Sequence, residues 1–225
     1  MRRNENHRFL YSASAVAVSG VLHQPYSSRL PPYPSIALDP IGGAGCQEAE
    51  NISFRDANCR SVLRIGRAVV RVAGGKRGNH YSTSVTAALE ELNILDIVTA
   101  DRIVSNIFSS CVDEDHATST LYFTGSHFDN LKIEGRLYQP DLTEAFRNQN
   151  GFRAVKDTVE SRPFLALREE ERAIIIPEFG SIYLGEIFFV HGLARLTMLR
   201  VELGCSYEGE LACASTSNNG HRIPP

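Results

Sequence analysis

Apolar and polar positions alternate along most of this chain with a period of two, the pattern of strands that send every second side chain into a core. Tyr11 to Leu22 (YSASAVAVSGVL) alternates small and apolar residues and predicts a strand. Ser61 to Val72 (SVLRIGRAVVRV) sets apolar residues against Arg64, Arg67 and Arg71, as a half-exposed strand does. GGKRGN at 74–79 reads as a hairpin loop, and YSTSVTAAL at 81–89 has a β-favouring composition. Glu50–Phe54, Thr120–Phe123 and Leu131–Glu134 predict short strands, the last two joined by a turn in GSHFDN. Ala173–Ile176, Ser181–Val190, Arg195–Leu203 and Glu210–Ala214 continue the series, separated by turn signals near Phe179-Gly180, His191-Gly192 and Tyr207-Glu208-Gly209. Many short strands at such spacing predict an all-β body, an antiparallel β-sandwich or a barrel-like sheet.

Some stretches depart from that rhythm. LNILDIVTADRIVSNIFSSC, residues 92–111, places Ala100, Ile103, Val104, Ile107 and Phe108 on one helical face. Yet Ile94, Ile97, Val98, Thr99, Ile103, Val104 and Ile107 are β-branched and its neighbours are strands, so it predicts two consecutive core strands bent near Thr99-Ala100-Asp101. HQPYSSRLPPYPSIALDPIGGAG, from His23 to Gly45, predicts a loop with one extended piece at Ser35–Leu38. Asp141-Leu142-Thr143-Glu144 has capping-box spacing, and Phe152, Val155 and Val159 extend an apolar face. One or two short helices are therefore expected between 141 and 162, within a charged insertion at about 141–172. Residues 215–225 form a polar tail, and the whole of 1–225 reads as one β-rich domain. ENISF at 50, ELNIL at 91 and NLKIE at 130 echo one another, which makes a short β-solenoid the alternative architecture. Chance similarity between strands is the simpler account of the echo.

Composition narrows the classes of function. Hydrophobic residues make up 43% and charged residues 22%, with a formal net charge of −3. Basic residues are scattered and never interleaved with aromatics, so no nucleic-acid partner is expected. No apolar run reaches 18 residues, so no membrane span is expected. MRRNENHRFLYSASAVAVSG superficially resembles a secretory leader, but its alternation fits a strand better, and without a clear leader the expected compartment is the cytoplasm. The five cysteines, Cys46, Cys59, Cys111, Cys205 and Cys213, form no CxxC pair and match no zinc pattern. They suit small buried thiols in a reducing compartment, with one or two disulfides as the alternative.

YSASAVAVSG followed by LPPYPSIALDP, then LNILDIVTADRIVSNIFSSC, FDNLKIEG, GSIYLGE and RLTMLRVELG, together resemble bacterial secreted proteins of the choice-of-anchor P type. The resemblance spans about residues 11–215 and implies an all-β, envelope-associated module with an extracytoplasmic location and no inherited catalytic residues. The weak leader, the lack of a C-terminal anchor and the 141–172 insertion depart from that pattern.

Candidate chemistry is sparse. Asp113, Asp115 and His116, in DEDH, are the metal-site candidates: hard carboxylate oxygens suit Ca²⁺, and the imidazole adds a softer ligand. No glycine follows for the sharp bend of a calcium loop, and a solvated hairpin tip is the plainer reading; no other cofactor is expected. His127 and Asp129 fall on one side of an extended chain and suit a base and its orienter, with Cys111 or a serine as nucleophile. No Gly-x-Ser-x-Gly elbow and no HExxH accompany them. Asp101 and Arg102, as strand neighbours, are expected on opposite faces. Two functions follow. The first is a non-catalytic β-rich binding or assembly module with a protein or glycan partner, or a second copy as a homo-oligomer. The alternative is a small hydrolase or metal-dependent enzyme using His116, His127 and nearby carboxylates.

Overall fold

A computed structural model of the chain describes residues 10–23, 27–56, 58–112, 120–140, 142, 173–190, 193–204 and 209–221. Among them there is no helix: two antiparallel sheets pack together without closing into a barrel, as a β-sandwich does. The strands are β1 (Leu10–Leu22), β2 (Ser28–Ala37), β3 (Gly43–Arg55), β4 (Ser61–Arg77), β5 (His80–Ile94) and β6 (Val98–Val112). Four short strands follow: β7 (Thr120–Tyr122), β8 (His127–Asp129), β9 (Lys132–Ile133) and β10 (Arg136–Leu137). The last four are β11 (Ile174–Ile176), β12 (Gly180–Val190), β13 (Leu193–Leu203) and β14 (Gly209–His221). One sheet runs β11-β12-β13-β14-β1-β2 and the other β10-β9-β6-β5-β4-β3, with β7 and β8 also paired to β6. β7, β8 and β9 succeed one another along the outer edge of β6 and shift register by only one residue, so they act as a single broken strand.

The core lies between the sheets, where Val85, Ile103 and Ile107 are fully buried with Leu196, Val201 and Leu211. Two polar contacts cross it. Ser105 Oγ and Thr216 Oγ1 hydrogen-bond at 2.8 Å, and Asn218 Nδ2 donates to Ser109 Oγ at 3.1 Å. These bonds, with one between Ser215 Oγ and Thr197 Oγ1 at 3.2 Å on the neighbouring strand, explain a departure from the expected polar tail: Ser215, Thr216 and Asn218 are buried in β14, because hydroxyl and amide groups can enter a core where they find partners.

Other expectations shift for equally local reasons. The proline-rich loop is largely strand β2, which its prolines tolerate because it is a sheet edge paired only to β1. Residues 92–111 do form two strands, but the chain reverses at Leu95-Asp96, both with positive φ, where Ile97 N–H donates to the Ile94 carbonyl. The 74–79 hairpin tightens to Gly78-Asn79, between the ladder pair Arg77 and His80. The helices expected at 141–162 and the charged insertion to 172 lie outside the described residues, apart from buried Leu142.

One device runs across the whole eight-stranded sheet. In four neighbouring strands, buried residues that should recur every second position are three apart: Ala49 and Ile52, Ile65 and Ala68, Leu89 and Leu92, Ala100 and Ile103. Each interval turns two successive residues outward: Glu50-Asn51, Gly66-Arg67, Glu90-Glu91 and Asp101-Arg102. The ladders place Asn51, Gly66, Glu91, Asp101 and Asn130 on one line across β3, β4, β5, β6 and the end of β8. Asn51, Glu91 and Asn130 have φ of 54°, 56° and 50°. Left-handed residues therefore alternate with ordinary ones from strand to strand, and the register is the same on both sides of the line. A Cβ at Gly66 would lie 2.3 Å from Glu91 Oε2, so the glycine leaves room for that carboxylate. The six-stranded sheet repeats the alternation of φ along a line of buried residues, with Gly185 at φ 63° and Ala214 at φ 51°, Met198 between them and Ala17 beyond.

Because β-branched side chains resist positive φ, Glu91→Val should destabilise the fold by about 1–2 kcal/mol. The neighbouring Glu90→Val, on ordinary backbone, should stay within about 0.5 kcal/mol, and urea unfolding of the two variants measures the difference.

Candidate binding face on the eight-stranded sheet

The ladders assemble two parallel rows on the outer face, on the hairpin side of the kink line. Ala44, Ala73, Ser84, Phe108 and Tyr122 stand side by side across β3, β4, β5, β6 and β7. Cys46, Arg71, Thr86 and Asn106 form the next row. Small side chains at Ala44, Ala73 and Ser84 leave a trough of about 600 Å³, with Cys46, Arg71 and Thr86 also lining it. At the β6–β7 side of these rows Phe108 and Tyr122 pack with ring centroids 5.8 Å apart and planes at 40°. They remain 37% and 43% exposed, an apolar pair set in a row of hydroxyl-bearing and small residues. Thr86 Oγ1 donates to Asn106 Oδ1 at 2.9 Å, and Asn106 Nδ2 donates to the Thr124 carbonyl at 2.7 Å, which holds the polar row in place.

Charges are arranged unevenly around the trough. Arg67 reaches Glu48 at 2.5 Å and Glu90 at 3.5 Å, and the Arg67 hydrogen bond, with Arg71 as a lesser contributor, holds Glu48 below the usual carboxylate range. Arg64 pairs with Asp96 at 3.1 Å. Among the described residues Arg71 forms no ion pair or hydrogen bond of its own. Across the kink line a second groove of about 570 Å³ is lined by Asn51, Ser53, Arg64, Glu91, Thr99 and Asp101, among others.

Of the residues singled out by sequence, the described ones give one surface pair, and Cys111 is not part of it. Asp113, Asp115 and His116 lie outside the described residues. His127 Nε2 stands 3.5 Å from Asp129 Oδ2, and Nδ1 is 2.7 Å from the Gly125 carbonyl, so the expected pair forms at the surface. The Cys111 nucleophile of the hydrolase reading is not beside it: Cys111 lies seven positions beyond the His127 partner Val104 on β6, about 23 Å away, and is buried. No group of three His, Cys, Asp or Glu suited to a metal occurs among the described residues. Asp101 and Arg102 both face outward, a correction that follows from the kink between them; Asp101 accepts from Asn130 Nδ2 at 2.6 Å. Lys76 is committed to Tyr81, donating to its hydroxyl at 2.7 Å and lying over its ring. What sequence reading missed was the trough, since no single segment carries it; its signal was the alignment of small residues once three hairpins are paired.

The most tightly held charges are elsewhere. Arg200 on β13 makes two 2.7 Å hydrogen bonds to the carboxylate of Glu186, which is only 2% exposed, and also bonds Glu202. Its guanidinium lies 3.8 Å from the Tyr183 ring centroid. The Glu186 hydrogen bonds outweigh burial and raise the Arg200 pKa, fixing the charge. Every strong donor there is satisfied, which marks a structural cluster.

A family profile described as a domain of unknown function matches residues 9–170 of the 225. The chain belongs to the DUF8256 family. The matched part contains β1 to β10, and so all of the eight-stranded sheet with its trough, while β11–β14 lie beyond it. No curated protein and no solved structure matches this DUF8256 chain. No helix of the described residues is long and apolar enough to cross a membrane.

Removing the Arg200 side chain strands a buried carboxylate, so Arg200→Ala should cost about 3–5 kcal/mol in urea unfolding, with Arg200→Lys intermediate because it cannot chelate both Glu186 oxygens. Cysteine reactivity should divide by burial: Cys46 and Cys59 are exposed, whereas burial pushes the Cys213 thiol up to about 12. Iodoacetamide at pH 8 should label the first two in the native protein and Cys213 only after unfolding, as read by peptide mass spectrometry.

Proposed function

We propose that this DUF8256 chain is a non-catalytic binding module whose ligand lies in the trough on the outer face of the eight-stranded sheet. The observation that carries this reading is the row Ala44–Ala73–Ser84 running up to two exposed rings, a depression beside an aromatic wall. Concave sites with a few placed polar groups are where ligands bind, and the groups here are a guanidinium, hydroxyls and the Cys46 thiol, with no His, Asp or Glu among the lining residues to act as its base. The alternative, a hydrolase built on His116 and His127, has support only from the His127–Asp129 contact, which has no thiol nucleophile beside it. The resemblance to choice-of-anchor P proteins adds a cell-envelope setting to the binding reading.

Affinity electrophoresis in gels containing soluble polysaccharides or polypeptides tests the proposal. Ser84→Trp fills the trough from an outward position, and far-UV circular dichroism checks that it folds. The wild-type chain should be retarded by at least one polymer, and the Trp variant should migrate as if the polymer were absent. No new reducing ends or peptide fragments should appear. Fragments that appear with the wild type and vanish with His127→Ala would sink the binding-module reading in favour of the hydrolase.

A further inference from the structure

We infer that the trough recognises an acidic sugar: a pyranose ring packs on the Phe108–Tyr122 wall while a carboxylate of the same short glycan meets Arg71. This rests on the binding-module reading and names its ligand class. Strand spacing gives the scale. Arg71 and Phe108 lie two strands and two positions apart in the ladders, so their Cα atoms are separated by about 12 Å, within reach of a disaccharide or trisaccharide.

Three observations point to this class. Two adjacent exposed rings, Phe108 and Tyr122, follow the trough-lining Ser84 in the same row, and aromatic rings suit the apolar C–H face of a sugar. The floor is made of Ala44, Ala73 and Ser84, short enough to let a ring settle against the sheet. Arg71 lines the trough with its guanidinium uncommitted, although Glu48 lies within its electrostatic reach. Glu48 is hydrogen-bonded to Arg67 and not to Arg71, so the Arg71 N–H groups remain available to an incoming carboxylate. Among the described residues of β5 and β6, the outward neighbours Ser82, Ser84, Thr86, Asn106 and Ser110 carry no charge.

Cys46 provides a built-in reporter. It is an exposed thiol lining the trough, and Cys59, also exposed, does not line it and serves as the internal control. The rate of N-ethylmaleimide labelling at each cysteine is measured on the full chain with three probes: trigalacturonate, its methyl ester and hexaglutamate. Trigalacturonate should slow labelling at Cys46 and leave Cys59 unchanged. The neutral ester should need about tenfold higher concentration, the loss expected for one charge-assisted hydrogen-bond pair, and hexaglutamate should not protect. Arg71→Gln and Phe108→Ala should each weaken protection about tenfold, and Arg64→Gln, across the kink line, should leave it unchanged. Equal protection by the ester, equal protection by hexaglutamate, or an unaltered Arg71→Gln would overturn the acidic-sugar assignment while leaving the trough as a binding face. No protection by any probe, together with no polymer retarding the wild type, would overturn both.

Discussion

A strand in an antiparallel sheet cannot change which of its faces is buried unless its neighbours change at the same level. The period of two is shared through the ladder, so a lone strand that turned two residues outward would send half of its apolar side chains into water. The protein meets that constraint with a line of coordinated kinks, from Asn51 through Gly66, Glu91 and Asp101 to Asn130. Left-handed backbone on alternate strands is enough, because each ordinary strand between them follows through its hydrogen bonds. The ladder register runs unchanged through the line, and the kinks set which residues of each strand turn outward, Ala44, Ala73, Ser84 and Phe108 among them.

The fold class was legible because alternation survives in nearly every strand. The kinks were legible too, though under another description. ENISF, ELNIL and NLKIE contain Asn51, Glu91 and Asn130, the three left-handed residues of the line, each just ahead of a buried Ile or Leu. The echo therefore overlaps the kink line, with the left-handed residue second in ENISF and first in ELNIL and NLKIE. The two-sheet topology shows that it does not mark a stacked coil. The prolines of β2 and the serines and asparagine of β14 misled for a common reason. Propensity speaks for a residue alone, while an edge position excuses a missing N–H and a facing hydroxyl excuses a buried polar group. The trough was hidden because its residues are far apart in sequence, and the DEDH cluster falls outside the described residues.

Burial and chemistry are divided between the sheets. In the six-stranded sheet the charged residues that matter are locked together, with Arg200 held among Glu186, Glu202 and the ring of Tyr183. In the eight-stranded sheet the outward row nearest the hairpin ends, Ala44, Ala73, Ser84, Phe108 and Tyr122, is small or aromatic. The family match follows that division, since it takes in the whole trough-bearing sheet and only β1 and β2 of its partner. One sheet presents a surface, and the other supplies much of the core that keeps it in shape.

The seam between β1 and β14 has a consequence for how the chain comes to be folded. It joins Leu10 to His221 at one end and Leu22 to Gly209 at the other, so β1 waits for β14, made about 190 residues later. Until residues 209–221 emerge, β1 is flanked by β2 alone and its other edge is open to any extended segment nearby. Contacts of such long sequence separation fold slowly. A ribosome that stops short of β14 therefore releases a β1–β2 hairpin and a β11–β13 sheet with no strand to join them, rather than a sandwich lacking one margin.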